Sequence, residues 1–69
     1  MIDEFDARVL LENNIRLRIH AINMQDGDAS IKYQGAIKAL QKVLEYDEFT
    51  IECLTRNIKK QEETRVKNV

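Results

Sequence analysis

Between Asp28 and Arg65 the apolar residues Tyr33, Ala36, Ile37, Leu40, Val43, Leu44, Ile51, Leu54 and Ile58 recur at helical spacing. At about 100° per residue they fall on one face, because steps of three and four keep returning to the same side of a helix. That stripe holds its phase across Asp47, and neither Gly nor Pro follows Gly35. The pattern predicts one long helix over about 29–65. It would pair with a helix over about 3–24 through a turn at 25–28, leaving a frayed tail at 66–69. The fold class expected is all-α, an antiparallel helical hairpin with a long second helix.

One alternative competes with the continuous helix. Tyr46-Asp47-Glu48-Phe49-Thr50-Ile51 reads as a helix start, with Asp47 as cap, Glu48 at the positive end of the dipole and Tyr46 stapled onto Ile51. A break near Asp47 would turn the hairpin into a compact three-helix bundle.

The first helix carries more apolar surface than one neighbour can cover. Ile2, Phe5, Val9, Leu10, Leu17, Ala21 and Met24 occupy one broad side, while Leu11, Ile15, Ile19 and Ile22 occupy another. A helix with two apolar sides is sandwiched between neighbours. Its charges have a polarity too: Asp3, Glu4 and Asp6 open it, and Arg16, Arg18 and His20 fall in its second half. In the turn, Gly27 is the residue suited to a left-handed conformation, and Asp28 or Ser30 the expected cap of the next helix.

A chain of 69 residues has a marginal core, and small folds of this kind usually need a disulfide, a metal or a partner chain. Cys53 is the single cysteine and His20 the single histidine, so neither a disulfide within the chain nor a protein-only tetrahedral metal site can form. Self-association is the staple that remains, and the hairpins are expected to assemble into an oligomeric helical bundle. In a continuous second helix Leu54 and Ile58 would overhang the first helix and need another protomer. With Ile15, Ile19 and Ile22 on the first helix, and Tyr46, Phe49 and Cys53 on a weaker second stripe, they form the expected interface. Pairing the hairpin back from its turn sets Arg8 near Glu45 and Glu12 near Lys42. It also brings Asp3, Glu4 and Asp6 close to Asp47 and Glu48, over which an antiparallel partner could lay the basic tail of Arg56, Lys59, Lys60, Arg65 and Lys67.

Chemical motifs are weak throughout. Asp26-Gly-Asp28-Ala-Ser30 has the oxygen spacing of a calcium loop's opening, but Ile31 and Ile37 stand where the sharp-turn Gly and the bidentate Glu belong. In the hairpin register His20 of the first helix faces the beginning of the second, while Cys53 lies near its far end, so the two are not expected to converge within a protomer. No enzyme activity, cofactor or metal is expected. Net charge is −1, too small for a field that would announce nucleic acid or an anionic membrane. No apolar run approaches a membrane span and the N-terminus is acidic, so a cytoplasmic protein with a reduced thiol is expected.

Two functions remain. One is a small non-enzymatic helical protein that self-associates and binds another protein as adaptor, regulator or inhibitor. The other is an oligomer that grips the phosphate of a nucleotide or nucleic acid at a subunit crevice, through Arg16, Arg18, Arg56, Lys59 and Lys60.

Overall fold

The structure, a computed structural model, describes residues 3–67, with side chains over residues 3–64. It contains three α-helices: α1 (Glu4–Asn23), α2 (Gly27–Leu44) and α3 (Glu48–Lys67). The chain therefore breaks at Asp47, and the continuous second helix over 29–65 is replaced by the three-helix arrangement. Helix α3 runs through residues 66 and 67, where fraying was expected, and residues 68–69 lie outside the described part.

Each helix begins on an aspartate. Asp3 accepts a hydrogen bond from the Asp6 amide at 2.8 Å, Asp26 from the Ala29 amide at 3.2 Å, and Asp47 from the Thr50 amide at 2.7 Å. In each case a carboxylate oxygen satisfies an N–H that the first helical turn leaves without a partner. The cap of α2 is thus Asp26, not Asp28 or Ser30.

The two helix ends inside the chain share one hydrogen-bond pattern. At the end of α1, the Asp26 amide reaches Ala21 O at 2.8 Å and the Gln25 amide reaches Ile22 O at 3.1 Å. At the end of α2, the Tyr46 amide reaches Gln41 O at 3.0 Å and the Glu45 amide reaches Lys42 O at 3.2 Å. These nested bonds are Schellman closures, which require the residue after the helix to be left-handed. Gln25 (φ 59°) and Glu45 (φ 57°) take that conformation. Gly27, expected there, is instead the first residue of α2 and has an ordinary negative φ.

Helix α1 is the element against which both others pack, more extensively against α2 than α3. Its first turn shares a depression with Val43, Leu44 and Glu45, so α1 and α2 run antiparallel. Helix α3 then returns beside α1 in α1's own direction. Leu11 and Ile15 of α1, Ile37 of α2 and Ile58 of α3 form the buried centre, with Ile19, Leu40, Leu44, Tyr46, Ile51 and Leu54 packed against it. The stripe read from the sequence points inward on both helices, Val43 excepted, which is exposed. Leu44 and Ile51 are seven residues apart, about two helical turns, so two helices that each face α1 reproduce the phase of one.

The break also overturns the expected overhang. Folding α3 back covers Ile58 and half-covers Leu54 within the same chain, and Ile15 is buried by its own α2 and α3. Ile15 and Ile58 are core residues, not interface residues.

Candidate interaction surface

Turning α3 back onto α1 leaves a cleft of about 710 Å³ where the C-terminal halves of the two helices run side by side. Arg16, Leu17, Ile19, His20 and Asn23 line it from α1, and Lys59, Glu62 and Glu63 from α3. Arg16 Nε lies 3.9 Å from Glu62 Oε1, with both side chains about 40% exposed (41% and 40%). A pair that open to water contributes at most about 1 kcal/mol, so it orients the two helices more than it holds them.

The five basic residues expected to hold a phosphate do not converge. Arg16 and Lys59 line the cleft, in company with Glu62 and Glu63, while Arg18, Arg56 and Lys60 are not among its lining residues. Arg18 follows Leu11 by seven residues and so falls on the core side of α1. Its Nε is buried with no hydrogen-bond partner among the described residues. Arg8 pairs along its own helix with Glu12 at 3.6 Å, in place of the expected Glu45. The acidic first turn of α1 does gather near a further carboxylate, since Asp3 and Glu4 share a depression with Glu45. The side chains of Arg65 and Lys67, expected to lie over those acids, are outside the described part.

The remaining expected contact residues scatter. Phe49 at the start of α3 and Ile22 near the end of α1 are exposed, Tyr46 and Ile19 rest on the core, and Cys53 is a half-buried free thiol. The break at Asp47 dissolves the second stripe of Ile31, Tyr46, Phe49 and Cys53, because Ile31 now lies on a different helix from Phe49 and Cys53.

The outer side of α1 carries a run of uncovered apolar residues. Phe5, Val9, Leu10, Leu17 and Met24 are all exposed, whereas the inner residues Ala7, Leu11 and Ile15 are almost fully buried. Both apolar sides of α1 were legible in the sequence; which one the chain covers for itself was not. At the start of α3 the Asp47 carboxyl caps the helix. The Thr50 hydroxyl, donating to Oδ1 at 2.7 Å, and then the Thr50 amide hold it below the usual aspartate range. Both bonds favour the charged form.

Among the described residues, no helix is long and apolar enough to cross a membrane, and no three metal-ligating side chains cluster. No protein-family profile, curated protein sequence or solved structure matches the chain.

Proposed function

We propose that this chain is a small non-enzymatic helical protein that self-associates and acts by binding another protein, as an adaptor, regulator or inhibitor. The observation that carries the reading is the outer side of α1, where Phe5, Val9, Leu10, Leu17 and Met24 stay open to water on the helix that forms the centre of the fold. Single exposed apolar residues are ordinary, but several along one helix mark a surface that binds.

The size of the surface supports it. The chain exposes 5660 Å², whereas a compact monomer of 8.1 kDa is expected to expose about 4,500 Å². The excess is comparable with the ~800 Å² that one partner contributes to a standard interface. The phosphate reading has less behind it, because two glutamates stand beside Arg16 and Lys59 in the cleft. A steep loss of binding with added salt would be its mark.

The test combines mass in solution with capture. Sedimentation from micromolar to millimolar concentration should show mass rising above that of one chain. Capture from host extract should retain a protein that a Phe5→Glu, Met24→Glu double variant does not. A chain that stays monomeric throughout, and retains nothing the variant fails to retain, overturns the proposal.

A further inference from the structure

We infer that the occupant of the outer edge of α1 is a second copy of this chain, laid antiparallel along Leu10, Leu17 and Met24. The inference rests on the self-association reading and specifies its surface. Those three residues stand seven apart, and a seven-residue step drifts only about 20° around a helix. They form one line, exposed to 42%, 44% and 74%.

Ala7, Asn14 and Ala21 complete the alternating steps of three and four that a helix uses to seat another helix. Ala7 and Ala21 are already buried within the chain, so they bound the line on its inner side and leave Leu10, Leu17 and Met24 as its open part. At the Ala7 end, Val43 of α2 shares a depression with it that the acids Asp3, Glu4 and Glu45 also line. Asn14 is half-buried mid-line, with Nδ2 donating to Leu10 O at 2.8 Å. A single polar residue in such a line selects one register among several.

Charge selects the direction. Asp3 and Asp6 lie at one end of this edge and His20 at the other. A parallel copy sets acid against acid and histidine against histidine. An antiparallel copy sets Asp6 beside His20 of the other protomer, opposes the two helix dipoles, and places Leu10 against Leu17 across a two-fold axis near Asn13 and Asn14.

The experiment is sedimentation equilibrium on the full chain as wild type, Leu17→Glu and Phe49→Glu, with helicity followed by circular dichroism. The wild type should reach dimer mass at high concentration. Leu17→Glu should keep wild-type helicity, because Leu17 lies outside the core, and weaken dimerisation at least about tenfold. Phe49→Glu, on apolar surface of α3 that is still more exposed than Leu17, should dimerise as the wild type does. Cross-linking tests the direction independently of any loss of fold in Leu17→Glu. In a Cys53→Ser background, Asn13→Cys should form a disulfide with its own copy under mild oxidation and Met24→Cys should not. Dimerisation of Leu17→Glu at wild-type strength, or linkage through Met24→Cys in place of Asn13→Cys, overturns the antiparallel edge while leaving self-association standing. A wild type that is monomeric at every concentration overturns both.

Discussion

Glu45 and Asp47 stand two residues apart and decide where α2 ends and α3 begins. Glu45 is held left-handed at φ 57°, a conformation that glycine adopts without strain and glutamate does not. Glu45→Gly should therefore leave stability unchanged or raise it by up to about 1 kcal/mol, the relief of strain being offset by a freer unfolded chain. In a continuous helix the same change would cost about 1 kcal/mol, so a urea titration separates the two geometries by sign. Asp47→Ala tests the same point from the other side: loss of the cap should lower the thermal midpoint by a few degrees, whereas Ala within an unbroken helix would raise it. The pH dependence follows from the depressed Asp47 titration. Because its folded pKa lies below the unfolded one, the stabilisation is fully present above about pH 4 and is lost as pH falls through the folded value. Thr50→Val removes the larger cause and keeps the amide bond, so carbon-detected NMR should find the Asp47 carboxyl titrating nearer the ordinary aspartate range.

Among the helices, α2 carries a removable weakness and α3 an anchor. Gly35 sits mid-helix at an exposed position where an added Cβ would meet nothing within 4 Å. Gly35→Ala should stabilise the fold by about 0.5–1 kcal/mol, seen as a higher denaturant midpoint with unchanged slope. Among the described residues, Ile58 is the one buried residue α3 supplies to the centre of the core, beside Leu11, Ile15 and Ile37. Ile58→Ala should destabilise by about 2–4 kcal/mol, a large share of what a domain of this size possesses. Both changes lie away from the outer edge of α1, so the dimer constant of the folded fraction should stay as it is in the wild type.

The whole molecule is organised by an asymmetry in α1. Both its flanks are apolar, but α2 and α3 approach from one side, leaving Leu10, Leu17 and Met24 uncovered. A hairpin with a long second helix would have needed a partner for Leu54 and Ile58; in the bundle those two are covered by the chain itself, and the open apolar residues lie on the opposite side of α1. The proposed self-association therefore sits on a different surface from the one the hairpin implied. The antiparallel arrangement carries a salt signature at this scale. With an Asp6–His20 contact across the two-fold, dimerisation should weaken modestly as ionic strength rises. Sedimentation at two salt concentrations reads it.

What local pattern could decide, it decided. The 3.6-residue period of Ile37, Leu40, Leu44, Ile51, Leu54 and Ile58 made α2 and α3 helical, and the Asp47-Glu48 start signal offered the α3 boundary as the alternative to one continuous helix. Capping and amphipathic spacing act within a few residues, so they are written in short stretches of chain. The break itself was harder to read, because Gln25 and Glu45 close their helices without the glycine that usually announces a left-handed stop. Only the tertiary structure chose which flank of α1 is inside. Hydrophobicity gives both flanks a similar claim to burial, and the choice depends on where α3 lands after the Glu45 turn, a matter of direction that no local period encodes.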